Sequence, residues 1–330
     1  MKRPPNLILS TAPFLHTQLT TPQIMREVLL SLIPISLVAC WYFGLGVLLV
    51  IAAATLGAFL TEWAFGGRER STLSDYSALL TGALLGLTLP PQIPLWMAGL
   101  GGAVAIGLGK LVWGGLGQNL FNPALVGRAF LQAAFPTAIS TWSSPVAGDL
   151  WRLPSSLFAP PLFRGAVDGV SAATPLGLAK FSGETTAVGS LLLGNVSGSI
   201  GETSAAVLIL CGLWLGLRRT FDWRLPASTL LSTAVCSGLF HYWQPLRFPS
   251  PSFMLLSGGL LFAAVYMVTD PVTTPTTSRG AWLFGFGVGL LVVLIRLFGG
   301  LAEGIMYAIL LMNAVTPYIN RYGQPRRYGG

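Results

Sequence analysis

Two long apolar runs constrain this chain more than any other feature of its sequence. The runs are VLLSLIPISLVACWYFG (residues 28–44) and FGFGVGLLVVLIRLFGG (residues 284–300). Each approaches the roughly 20 apolar residues that a helix needs to cross the hydrocarbon core of a bilayer. A soluble fold would have to bury several such runs in one core. The sequence therefore predicts an all-α integral membrane protein.

Composition excludes several classes of function. Of the 330 residues, 53% are hydrophobic and only 9% are charged, against about 25% charged in soluble domains. The net charge of +8 comes from 19 Lys and Arg residues that are scattered between apolar segments. They are typical of topology signals, not of a phosphate-binding face, so no nucleic-acid partner is expected.

The inventory of metal ligands is equally restrictive. The chain has three cysteines without C-x-x-C spacing, and its two histidines, His16 and His241, lie far apart. Paired axial ligands for haem, or four thiolates for an iron–sulfur cluster, cannot be assembled from this set. No metal site is expected, and any electron transfer through this chain requires an organic cofactor.

Apolar segments bounded by charges or by Gly/Pro clusters predict a bundle of about ten transmembrane helices. The predicted spans are 24–42, 44–65, 75–92, 95–113, 117–136, 202–217, 225–243, 252–269, 281–297 and 303–320. The positive-inside rule favours a cytoplasmic N-terminus. The regions are then a cytoplasmic arm (1–23), a first membrane half (24–136), one long extracytoplasmic loop (137–200), a second half (201–320) and a cytoplasmic tail (321–330).

Two of the apolar regions are interrupted by polar residues. FNPALVGR (121–128) and TDPVTTPTT (269–277) place Asn, Asp and Arg next to proline at membrane depth. Broken helices of this kind survive only where protein shields them or where they line a cavity. The two interruptions suggest corresponding breaks in two structural repeats, which often mark a substrate or cofactor site. Gly82 with Gly86, and the glycines near Gly285, are expected to permit close helix packing.

The long loop contains the unusual segment VDGVSAATPLG (167–177). Pro175 disfavours helical geometry for Thr174, so this threonine should be extended and displayed. The loop has no histidine, and Asp168 is too far along the chain to activate the hydroxyl, so a catalytic nucleophile is not expected. Thr174 is then either a modification acceptor or an ordinary turn residue.

Five segments together carry a family resemblance. They are DGVSAAT, SDYSALLTGALLGLTLPP, GLGQNLFNPALVGRAF, SGSIGETSA and YMVTDPVTTP. The chain resembles the RnfD/NqrB family, which comprises the D subunit of Rnf electron-transport complexes and, more distantly, the B subunit of the sodium-pumping NADH:quinone reductase. The similarity extends from about residue 24 to 320. One departure is Ala172, where the family often has glycine.

The resemblance implies a site for covalent flavin. Thr174 would carry FMN through a phosphoester to its hydroxyl, a linkage of the phosphothreonine type. Asp168, Ser171 and Ala173 would be the residues that a flavin transferase recognises. A second, non-covalent flavin such as riboflavin also occurs in this family, and the sequence leaves open whether this chain binds one.

Three further ionisable residues have two interpretations each. Arg128 either neutralises a flavin anion or pairs with Asp75 or Glu202, because intramembrane charges usually pair. Glu202 begins a predicted helix that Ser199 would cap, which favours a structural role over an ion-path role. Asp270 either stabilises the end of a helix or forms part of an ion or flavin site.

The resemblance also implies a function and a location. Members of the family belong to complexes of the bacterial inner membrane that couple electron transfer between ferredoxin and NAD to ion movement. This chain would then be a subunit without activity alone, and its partners would be the iron–sulfur and flavin subunits. The alternative is a solute channel or transporter built on the paired broken helices, with no redox role.

Overall fold

Helices account for the regular structure in a computed structural model of the chain, which describes residues 20–66, 70–161 and 172–323. No strand occurs in these ranges. The α-helices are α1 (Thr21–Phe43), α2 (Gly46–Phe65), α3 (Ser77–Thr88), α4 (Leu95–Gly109), α5 (Pro123–Ala134), α6 (Pro136–Ser140), α7 (Pro175–Gly177), α8 (Val188–Leu193), α9 (Ala205–Leu217), α10 (Arg224–Trp243), α11 (Pro251–Leu256), α12 (Leu260–Tyr266), α13 (Ser278–Phe298) and α14 (Ile305–Gly323).

Four helical segments within the described ranges are long and apolar enough to cross a membrane. They are α1, α2, α13, and α4 with the short 3₁₀ turn that prolongs it to Trp113. α3 and α9 are shorter apolar helices. These elements confirm the predicted all-α, multi-pass membrane architecture. The ten spans, their orientation and the division into regions remain predictions.

Close helix packing organises the two halves of the molecule. α2 packs on α3 and α4, while α10 packs on α13. A Cβ atom added to Gly82 would lie 2.4 Å from the Cα of Thr55 on α2, and one added to Gly285 would lie 1.7 Å from the Oγ of Ser228 on α10. Any side chain at these positions would force the helices apart, which confirms the predicted packing role of these glycines.

The first interrupted region is a helix start. Asn122 ends an extended segment, and its Oδ1 accepts hydrogen bonds from the backbone N–H groups of Ala124 and Leu125. Pro123 occupies the first helical position, where a missing N–H costs nothing. The predicted span 117–136 is therefore helical only from Pro123 to Ala134 before the short α6 begins.

The two interrupted regions meet in the buried core. The backbone N–H of Asn122 donates to Oδ1 of Asn313 at 3.3 Å, and Nδ2 of Asn313 donates to the carbonyl of Thr273 at 3.2 Å. The hydroxyl of Thr316 donates to the same carbonyl at 3.1 Å. One side chain of α14 thus joins both breaks.

A third break lies inside the predicted span 252–269. This span divides into α11 and α12 at Ser257, Gly258 and Gly259. Gly258 has a φ of +66°, a conformation that favours glycine. The sequence did not predict this interruption, because a serine and two glycines within an apolar run do not by themselves distinguish a break from a tightly packed helix.

Candidate functional site

Thr174 ends an extended segment at the start of a short helical stretch. Its φ and ψ are −73° and 155°, which confirms the predicted extended geometry. Its Oγ1 accepts a hydrogen bond of 3.1 Å from the backbone N–H of Gly177, so the side chain caps α7. The backbone N–H of Ala172 donates to the carbonyl of Trp142 at 2.9 Å, which ties the segment to the loop before it.

Two contacts anchor the segment that follows Thr174. Leu176 is buried with Leu191 and Phe253 in a small apolar cluster of its own. Lys180 donates hydrogen bonds to carbonyl oxygens at the end of α13, including that of Gly299. Burial lowers the pKa of Lys180 from its ordinary value. The segment that begins at Thr174 is therefore attached to the helical bundle.

A cavity of about 160 Å³ lies beside Thr174. Its walls come from several separate parts of the chain, among them α5, the Thr174 segment, the segment before α9, the α11–α12 break and the α13–α14 connection. The polar and charged side chains that line it include Arg128, Gln132, Thr174, Ser199, Glu202, Glu303 and Tyr307. Leu176, Leu191 and Leu256 are among its apolar residues. Such a mixture of apolar walls and few converging polar groups is typical of ligand sites.

Arg128 supplies positive charge to this cavity. Its side chain is only 8% exposed, and no hydrogen bond or ion pair joins it to another residue in the described part of the chain. Of its two predicted structural partners, Asp75 instead accepts hydrogen bonds from the backbone and hydroxyl of Ser77. Glu202 interacts with Arg128 electrostatically without forming an ion pair. The pairing with Asp75 is therefore wrong, and the guanidinium keeps donors for a ligand.

Glu303 and Glu202 both lie close to the α11–α12 break. Both Glu303 oxygens lie 3.0 Å from Nη2 of Arg296, and Oε2 also accepts from the backbone N–H of Gly259 at 3.0 Å. A Cβ atom at Gly258 would lie 1.9 Å from Oε2 of Glu303, and one at Gly259 would lie 2.9 Å from Oε1 of Glu202. The two glycines thus allow both carboxylates to approach the backbone.

Ser199 contacts Glu202 but does not cap the following helix. Its hydroxyl and backbone N–H interact with the Glu202 carboxylate. The cap of α9 is Ser204, whose side chain accepts from the backbone N–H of Val207. The predicted capping role of Ser199 for the apolar helix is therefore wrong, because a short 3₁₀ turn at Ile200–Glu202 precedes α9.

The other predicted recognition residues lie at the edge of the structure. Asp168 and Ser171 fall outside the described residues. Ala173 is exposed and precedes Thr174 in an extended stretch. Nothing in the described contacts distinguishes it from an ordinary loop residue.

A second cavity lies near the first interrupted region. Its polar lining includes Ser77, Lys110, Asn119, Asn122, Tyr266 and Asp270, among apolar side chains. Oδ1 of Asp270 accepts from the backbone N–H of Val272, and its Oδ2 accepts from the hydroxyl of Thr273. Asp270 therefore stabilises the turn after α12 and also borders a cavity, so both of its predicted interpretations stay open.

Sequence reasoning does not single out several charged residues of functional interest. The pattern around Arg296 resembles a topology signal, although the residue is 3% exposed and bound to Glu303. Glu62 and Lys110 form another buried pair, with Nζ and Oε1 2.6 Å apart. An isolated charge inside a long apolar run, as Arg296 is, was the available signal, because such residues are seldom placed in hydrocarbon without a partner.

Comparison with known proteins identifies the family. A sequence model of the NQR2, RnfD, RnfE family matches residues 8–329.

The chain belongs to this family.

Curated relatives cover almost the same length. The chain is 37% identical over 334 residues to the D subunit of the proton-translocating ferredoxin:NAD(+) oxidoreductase complex of Clostridium ljungdahlii, covering 97% of this chain and 96% of that protein. It is also 37% identical to the D subunits of the ion-translocating oxidoreductase complexes of Tolumonas auensis and Klebsiella pneumoniae, covering 97% of this chain and 99% and 98% of those proteins. These matches confirm the family resemblance carried by the sequence motifs.

Proposed function

We propose that this chain is the membrane subunit of an ion-translocating oxidoreductase complex and carries electrons on FMN attached covalently to Thr174. In this role it contributes to electron transfer between ferredoxin and NAD that is coupled to ion transport, and it has no activity alone. The names of relatives that match nearly the whole chain support the complex. The observation that supports the site is the position of Thr174 at a cavity containing the buried guanidinium of Arg128.

The residues around Thr174 fit an attached flavin phosphate. A phosphodiester between threonine and FMN keeps one negative charge, and Arg128 has unused donors for an anion. The short hydrogen-bonded contact from Gly177 to the threonine oxygen leaves the side chain at the cavity. FMN supplies one- and two-electron chemistry through its isoalloxazine ring, while these residues hold and orient it.

Thr174 fits a modification acceptor better than a nucleophile. The partner of its hydroxyl within the described ranges is a backbone N–H, which cannot act as a base. A separate flavin transferase would therefore supply the chemistry of attachment. Asp168, Ser171 and Ala173 are proposed as its recognition residues, on the basis of the family signature.

A second, non-covalent flavin such as riboflavin is part of the proposal. The second cavity offers apolar walls with the converging polar groups of Asn119, Asn122 and Lys110. This combination suits a neutral, planar ligand that forms hydrogen bonds along one edge.

The remaining partners follow from the same proposal. The subunits that carry iron–sulfur clusters and further flavins would deliver and remove electrons. The chain would lie in the bacterial inner membrane with both termini in the cytoplasm and the loop 137–200 outside. No nucleic acid is expected to bind.

The proposal is tested by flavin fluorescence and intact mass of the denatured chain, co-expressed with a flavin transferase. The wild type should fluoresce and carry one FMN-sized mass increment, and Thr174→Ala should lose both. Thr185→Ala, in the same loop and exposed, is the matched control and should keep both. An unmodified wild type, with the transferase active on another substrate, would disprove the covalent flavin.

A flux measurement separates the alternative transporter function. The isolated chain, reconstituted in lipid vesicles without its partners, should not move solutes. Solute flux that is unaffected by Thr174→Ala would favour the transporter built on the two broken regions.

A further inference from the structure

The cavity beside Thr174 is lined by two carboxylates, Glu303 and Glu202, that differ in their ion pairing. Glu303 forms an ion pair with Arg296, and its oxygens accept from the backbone N–H groups of Gly259, Gly304 and Ile305. Arg296 is almost fully buried and also donates to the carbonyl of Met254. Glu303 therefore already has a guanidinium partner and several N–H donors within the protein.

Glu202 lacks such a partner. None of the four ion pairs between described residues includes it. Its neighbours are Ser199, which donates to the carboxylate, Arg128, which attracts it without forming a pair, and Glu303, which repels it. Tyr307 of α14 also faces the cavity. Of the two cavity carboxylates, Glu202 is the one that can change its protonation at the lower cost.

The charges around the cavity then respond to an electron in a defined way. Arg128 and Arg296 balance Glu202 and Glu303 when all four are ionised. The phosphodiester on Thr174 adds one negative charge, and an electron on the isoalloxazine ring adds another. Like charges in one cavity repel each other, and neutralising one carboxylate relieves this repulsion.

We propose that Glu202 takes up a proton when the flavin on Thr174 is reduced and releases it on reoxidation. The electron comes from a one-electron carrier of the complex, of the iron–sulfur class, and stays on the ring. The proton comes from water at the cavity, and an O–H bond forms at a Glu202 carboxylate oxygen. On reoxidation the electron leaves to the next carrier, the O–H bond breaks and the proton returns to water. This inference rests on the proposed function.

Redox-difference infrared spectroscopy tests this assignment without measuring turnover. Flavinylated protein is reduced with dithionite, and the reduced-minus-oxidised spectrum is recorded in H2O and in D2O. The wild type should gain the C=O band of a protonated carboxylic acid, with a shift to lower frequency in D2O. Glu202→Gln should lose this band, and Glu202→Asp should keep it at an altered frequency.

Two matched variants and one prior measurement make the outcomes distinct. Glu303→Gln, and Glu184→Gln in the exposed loop, should both retain the band. A band that persists in Glu202→Gln, or that disappears in Glu303→Gln while Glu202 is intact, overturns the assignment. Covalent flavin is first measured by fluorescence. Its absence overturns the proposed function and this inference with it, whereas a flavinylated wild type without the band overturns the inference alone.

A second readout covers the case in which a Glu202 variant does not fold. The midpoint potential of the flavin is measured from pH 5 to pH 9 in wild type and in Glu202→Asp. A potential that falls with pH in wild type and shifts its pH dependence in Glu202→Asp supports the proposal. Identical pH profiles in the two proteins contradict it.

Discussion

The ammonium group of Lys180 donates a hydrogen bond of 2.5 Å to the carbonyl oxygen of Gly299, the residue that ends α13. The carbonyls of Ile295 and Leu301 lie 3.3 and 2.8 Å from the same nitrogen. These oxygens lie at the C-terminal end of α13, where the last carbonyls of a helix lack intrahelical N–H donors. A lysine there also complements the negative end of the helix dipole. The contact ties the segment that begins at Thr174 to a long helix of the bundle.

Removing this contact should loosen the threonine segment. Lys180→Met is expected to lower stability by about 1–3 kcal/mol, because it leaves several carbonyl oxygens without a charged donor. Thermal unfolding in detergent measures the effect, and Lys180→Arg should recover most of it. A methionine variant as stable as wild type would mean that water replaces the lysine without cost.

The same residue predicts a dependence on pH. Burial lowers the pKa of Lys180, so the folded protein releases this proton at a pH where the unfolded chain still holds it. Stability contributed by this group therefore rises with pH from the lowered value up to the ordinary lysine value of about 10.4. The stability difference between wild type and Lys180→Met should widen over this interval in alkaline thermal melts. A difference that stays constant would show that Lys180 titrates normally.

The charge of Arg128 should tune the attached flavin. Arg128→Gln is expected to keep the covalent FMN but to lower its midpoint potential, because a nearby positive charge stabilises the reduced, more negative ring. Spectroelectrochemical titration measures the shift, and Arg128→Lys should restore part of it. Arg152→Gln, on an exposed loop, is the control and should leave the potential unchanged. An unchanged potential in Arg128→Gln would place the guanidinium away from the ring.

The buried pair between Glu62 and Lys110 should be sensitive to the loss of one partner. Lys110→Met leaves the carboxylate, which is 1% exposed, without its cation, at an expected cost of about 3–5 kcal/mol. The double variant Glu62→Gln/Lys110→Met should cost less than the sum of the single variants. Asp222→Asn removes the surface pair with Arg224 and should cost less than about 1 kcal/mol. Thermal melts of the two single variants, the double variant and Asp222→Asn give the comparison. A double variant destabilised by the sum of the two single variants would argue against coupling.

Asn313 should matter more than its neighbour Asn320 on the same helix. Asn313→Ala removes the acceptor for Asn122 and the donor to Thr273 in a fully buried position, with an expected cost of about 1–3 kcal/mol. Asn320→Ala removes exposed bonds to Thr276 and should stay within about 0.5 kcal/mol. Equal effects of the two substitutions on the melting temperature would contradict the junction between the two breaks.

Local sequence signals predicted the site better than they predicted its surroundings. The extended geometry of Thr174 follows from the proline after it, and the interruption at Asn122 follows from the Asn-Pro pair. Both depend on residues that are adjacent in the chain. Neutralising a flavin anion was one of two interpretations of Arg128, but its position in the same cavity as Thr174 was not predicted, because no local rule connects two such distant positions.

The surroundings could not be predicted because they depend on tertiary contacts. Arg296 and Glu303 are joined across the end of α13, and Glu303 and Glu202 come close to the backbone at Gly258 and Gly259, which have no side chains. Apart from Glu202, none of these residues was singled out from the sequence, because no local pattern links them. The division of 252–269 into two short helices was missed for the same reason, since periodicity alone does not reveal where a run must bend.

The walls of the Thr174 cavity also set an order of events during synthesis. Arg128 emerges from the ribosome in the first half of the chain, whereas Glu303 and Tyr307 emerge near its end. The segment around Thr174 is thus translated well before the rest of the proposed flavin cavity can form. A transferase acting on a nascent or newly inserted chain would meet an open loop, and completion of the last helix would then fold the flavin into place.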